Sequence, residues 1–167
     1  MSQTWKSSSE VWAQSDSADE EQLLREELGR VTASGTSAAV ARQLPTDIWQ
    51  ATFVVPCDLA TAGERCRRAL SAGEGRLVGD LESPDGCVLR GIVHVGSTMW
   101  VHRPAIVTVW LVAISQTSVR TTIRAVAKEG LRKSHTAQRS GEFVVKFLGP
   151  DASLGSEAPL DRPQYER

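Results

Sequence analysis

Between Trp49 and Gly130 apolar residues alternate with polar ones in short runs, and the runs are broken by turn residues. "WQATFVVP" reads as a strand with Phe53 and Val55 on one face, stopped by Pro56, which has no amide to offer a neighbour. In "DLATAGERCRRALSAG" the period changes. Leu59, Ala62, Cys66, Ala69 and Leu70 recur at helical spacing behind Asp58, a residue suited to capping a helix start, and Gly73 or Gly75 ends the run. "GRLVGDLE" and "CVLRGIVHVG" return to period two around "SPDG", whose Pro84 and Asp85-Gly86 predict a hairpin. "STMWVHRP" reads as a loop or irregular edge.

The strongest pattern is "AIVTVWLVAISQTSVRTTIRAVAKEG". Its first half is too short for a membrane-spanning helix, which takes roughly 20 apolar residues, and its β-branched content favours a strand. After "SQTS", Val119, Thr121, Ile123, Ala125 and Ala127 fall on one face while Arg120, Thr122, Arg124 and Lys128 fall on the other. The preceding strand, apolar on both faces, belongs at the sheet centre or beneath an extra element such as the amino-terminal arm. Lys128 and Glu129 in "KEG" read as solvated residues at a strand end. Ala137, Val144 and Leu148 then mark one side of a final helix, beside Phe143 and Phe147, closed by Gly149-Pro150.

The predicted order is β-α-β-β-β-β-α: an α+β domain in which an antiparallel curved sheet carries two helices on one face. By element order this resembles the helix-grip class, a scaffold used for ligand pockets, assembly and structural domains alike, so it implies no activity. Upstream, Ser17 and Glu20 have capping-box spacing, and Leu23, Leu24 and Leu28 form a narrow apolar stripe, which predicts a short acidic helix to Val31. The expected organisation is an arm over residues 1–48, a compact domain over 49–149 and a disordered tail over 150–167.

Charge sharpens this division. Residues 1–48 carry a net −4, 49–149 a net +5 and 150–167 a net −2, within a chain of net −1. The overall balance gives no sign of a nucleic-acid binder, yet the acidic helix and the basic centre are matched for docking on each other. Cys57, Cys66 and Cys87 make no disulfide framework, and the first residues carry no secretory pattern, so reduced thiols and a cytoplasmic location are expected.

Candidate chemistry is sparse. No His, Cys, Asp or Glu set has metal-ligand spacing, and no glycine loop has a nucleotide-binding pattern, so neither metal nor cofactor is expected. Cys57 precedes a helix start, where a thiolate is stabilised, and His94 or His102 are the available bases; a packed structural thiol needs no such partner. Asp80 and Glu82 share a strand face. Arg120, Arg124 and Lys128, joined by Arg90, form a basic face able to hold a few phosphates, but they lack the interleaved aromatics of a single-strand platform, so specific nucleic-acid binding is not expected. The sequence thus points to a non-enzymatic binding or interaction domain, with the arm able to pair within the chain or across a homodimer. One alternative is a small-ligand carrier or enzyme with a pocket between sheet and final helix, its candidate lining Trp100, Trp110 and Phe143; another is a weak nucleic-acid or anionic-surface binder acting through the basic strand face.

Overall fold

A computed structural model describes residues 8–31, 44–95, 103–129 and 134–149, with side chains in the first segment from Asp19 to Arg30. Among the described residues, three helices and five strands follow in order: α1 (Ser8–Val31), β1 (Thr46–Val55), α2 (Leu59–Leu70), β2 (Arg76–Ser83), β3 (Gly86–Val95), β4 (Arg103–Ser115), β5 (Ser118–Lys128) and α3 (Thr136–Leu148). The strands form one antiparallel sheet in the order β1-β5-β4-β3-β2. The helix-grip-like α+β architecture is the one the periodicity predicts, and β4, apolar on both faces, is the central strand.

Strand alternation sends the chain's largest apolar set to one side. Phe53, Val55, Leu89, Val93, Val107, Val109, Leu111, Val119 and Ile123 form a continuous buried cluster with Ala62, Cys66, Ala69 and Leu70 of α2 and Ala137, Val144 and Leu148 of α3. Burial of each large side chain is worth about 1.5–3 kcal/mol, so this inner face is the main source of stability. Two glycines let the helices close in. A Cβ on Gly91 would meet Leu70 Cβ at 2.9 Å, and one on Gly141 would fall inside the Trp49 ring. Gly141, an awkward residue for a helix middle, is the seat of that indole.

The two gripping helices are started differently. Asp58 caps α2 locally, accepting from Thr61 N at 2.8 Å and Thr61 Oγ1 at 2.7 Å, and these bonds lower its carboxyl pKa. The start of α3 depends on distant carboxylates. Glu129 accepts from Ser134 N at 2.7 Å and Thr136 N at 2.8 Å, and Asp47 of β1 accepts from Ala137 N at 3.2 Å. Glu129, read from sequence as solvated, is therefore 6% exposed, because it supplies the acceptors that free amides at a helix start require.

Three element boundaries differ from expectation, one of them β4, which begins at Arg103 within the stretch read as a loop and pairs there with Val95. β1 starts at Thr46 rather than Trp49, since its pairing with β5 runs from Thr46↔Lys128 to Val55↔Val119 without a break. α1 runs from Ser8, which places Ser17 inside the helix and removes the capping-box role of Ser17 and Glu20. Trp5, Trp100, His102, Arg132, Lys133 and the 150–167 tail lie outside the described residues, as does the side chain of Trp12.

Candidate functional site

The outer face of the sheet is assembled from the residues that alternate with the core. Register aligns them in rows across the strands. One row reads Gln50, Arg124, Thr108, Arg90 and Gly79; the next reads Ile48, Val126, Ile106, Ile92 and Arg76. Arg90, Arg120, Arg124 and Lys128 all belong to this side, as the period-two pattern requires.

α1 lies across these rows. Leu24 is fully buried on Ile92, Ile106 and Val126, with Leu23 and Val78 at the margin. Its acidic residues do the rest. Glu20, 1% exposed, accepts from Thr108 Oγ1 at 3.2 Å and sits 3.4 Å from Arg124 Nε. Arg90 Nε donates to the same Thr108 hydroxyl at 3.0 Å. Glu21 is 3.6 Å from Lys128 Nζ, which also donates to Thr46 Oγ1 at 2.9 Å. Glu27 accepts from Arg76 at 2.9 Å and lies 3.5 Å from His94 Nε2. The sequence suggests for Glu20 only a capping-box role and for Glu27 none. Their signal was available in hindsight as carboxylates one helical repeat away from Leu24, on its side of the helix.

Beside this contact a groove of about 340 Å³ opens between α1 and the β2–β3 hairpin. Asp19, Gln22, Leu23 and Glu26 form its helix wall, while Val78, Leu81, Val88 and Arg90 form its sheet side. A register irregularity between Leu77 and Gly79 shapes that floor: Val78 and Gly79 both lie on the outer side, while Leu77 packs on the inner cluster. Leu81, half exposed, continues the apolar floor toward the hairpin end. The groove joins an apolar base to a wall of carboxylates and one amide.

The aromatic candidates separate. Trp110 pairs with Val88 and Thr122 on the outer side, whereas Phe143 belongs to α3 and packs against the inner cluster. The two rings stand on opposite sides of the sheet and cannot line one pocket, because Trp110 is out of phase with the inward-facing Val109 and Leu111. Phe143 instead meets Phe147, centroids 5.2 Å apart at 58°.

The candidate nucleophile is not activated. Cys57 is half-buried, and burial raises its thiol pKa more than the nearby Arg65 lowers it. Burial also pushes Cys66 up to about 12 and Cys87 up to about 11. Asp80 and Glu82 do share a face, and Arg67 of α2 takes both: its Nε bonds Asp80 at 2.8 Å and its Nη2 reaches Glu82. They brace α2 on the edge strand. Among the described residues no group of three or more His, Cys, Asp and Glu is placed to hold a metal ion, and no helix is long and apolar enough to cross a membrane.

No family model and no curated protein matches the chain. Among solved structures, the Zhui aromatase/cyclase from Streptomyces sp. R1128 is similar over 62% of this chain and 85% of its own, at 8% identity and a TM-score of 0.28. That degree of likeness carries no argument about chemistry here.

Proposed function

We propose that the protein is a binding domain, built on residues 49–149 together with the start of β1 from Thr46, with the residues before it as its arm and 150–167 as a tail, and that the α1–hairpin groove is its ligand site. The observation that carries this reading is the pairing of an apolar floor, Val78, Leu81 and Val88, with hydrogen-bond acceptors at Asp19, Gln22 and Glu26 in a space of about 340 Å³. That volume lies within the usual range of small-molecule sites, about 300–1,000 Å³. The fitting ligand is a small amphipathic molecule, its hydrocarbon on the floor and its donors, amine or hydroxyl, on the wall. Three free thiols suit a reducing, cytoplasmic compartment.

A second reading puts the ligand between the sheet and α3. The helix-grip-like arrangement favours it, together with Phe143, which is only partly buried at the margin of the inner cluster. Titrating isotope-labelled protein with octylamine, octanol and octanoate separates the two. Shifts at Leu23, Leu81 and Val88, strongest for octylamine and lost in Val88→Glu, support the outer groove. Shifts confined to Ala137, Phe143 and Val144 support the inner pocket, and an unchanged spectrum with all three rejects both for this ligand class.

A further inference from the structure

The contact between α1 and the sheet is acidic where most helix–sheet contacts are apolar. Among the described side chains of α1, Leu24 is the one fully buried apolar group, while Glu20 and Glu27 are almost as deeply covered. They face Arg124, Arg76 and His94, with Glu21 on Lys128 at the margin. Burying the Glu20 and Glu27 carboxylates offsets much of the attraction to their partly exposed arginine partners, so these pairs specify what docks more than they strengthen it. The inner cluster that holds the sheet and its two helices together contains none of the described side chains of α1.

The segment joining α1 to β1 is long enough for exchange. Residues 32–43 join Val31 to Leu44, and twelve residues reach about 40 Å at roughly 3.3–3.6 Å each. The sheet is only about 19 Å across, from four spacings of about 4.8 Å. An α1 that leaves its own sheet can therefore reach a neighbour's.

We propose that the outer face is a receptor for an acidic helix with the spacing of Glu20, Leu24 and Glu27, occupied by the chain's own α1 and open to exchange with the α1 of a second copy. The face offers what that spacing demands: Thr108 and Arg124 for the first carboxylate, an Ile92–Ile106–Val126 seat for the leucine, and Arg76 with His94 for the second carboxylate. This inference does not depend on the groove holding a small ligand.

The test uses a labelled peptide of residues 17–31 added to the full chain at low salt. The tether gives the resident helix a local concentration on the order of millimolar, so the peptide competes poorly with it in the native protein. In a Glu20→Ala/Glu27→Ala chain the resident helix is weakened, and the peptide is expected to bind at least about tenfold more tightly. Binding should be lost when the peptide itself carries Glu20→Ala and Glu27→Ala. A second arm leaves all docking residues native: a protease site is placed within 32–43, and after cleavage the released α1 should exchange with the labelled peptide. A folded double variant with no gain in peptide affinity, or a cleaved chain whose α1 never exchanges, overturns the proposal. Tighter binding of duplex DNA or heparin than of the peptide to the double variant overturns it too, since the face would then recognise negative charge alone.

Discussion

On the inner side of β4, Val107, Val109 and Leu111 share an apolar cluster with α2 and α3; on the outer side, Ile106 and Thr108 of the same strand meet α1 through one leucine and one glutamate, Leu24 and Glu20. The inner contact stabilises through area removed from water, which is non-directional and tolerates small shifts. The outer contact stabilises through a few aligned charges, which are directional and lose value wherever water enters. The first arrangement makes a permanent core and the second a selective, separable cover.

Truncation should break this comparison most sharply. Leu70→Ala, beneath Gly91 on the inner side, is expected to lose about 2–5 kcal/mol of global stability in urea unfolding. Gly141→Ala follows at about 1–3 kcal/mol, despite alanine's better helix propensity, because its methyl group must displace the Trp49 ring. A neutral or stabilising Gly141→Ala would show that the indole is not fixed there.

Glu20→Gln should behave otherwise. Breaking a buried pair costs about 3–5 kcal/mol where both partners must stay buried. α1 can lift away, so the expected global loss is under about 1 kcal/mol, with much faster amide exchange across Leu23–Arg30. A global loss as large as that of Leu70→Ala would make α1 part of the core.

Alkali should act on the inner side. Cys66 stays protonated in the fold up to about pH 12, whereas an unfolded thiol ionises near pH 9. The folded state then holds a proton the unfolded state has lost, so this contribution is intact below pH 9 and disappears as pH rises through 12. Cys66→Ala should flatten that alkaline decline relative to the native protein in melts between pH 8 and 11. The smallest effect is expected for Asp58→Ala, which removes the exposed α2 cap: a slight fall in melting temperature at neutral pH that vanishes in acid, where the native carboxyl is protonated. An equal deficit at every pH would mean that the cap acts without its charge.

Periodicity was enough for the elements and for which side chains share a face. Val119, Thr121, Ile123, Ala125 and Ala127 could only turn together, and so could Arg120, Arg124 and Lys128, because alternation is a property of one strand. The α2 start was legible for the same reason: Asp58 reaches Thr61, three residues away. Strand order, the burial of Glu129 and the meeting of Trp49 with Gly141 were decided by tertiary structure, since each joins segments whose approach no local rule fixes. Glu20 shows the boundary between the two most clearly. Its position beside an apolar stripe is local, but its change from an exposed capping residue to a buried ligand of Thr108 and Arg124 required a sheet 88 residues along the chain.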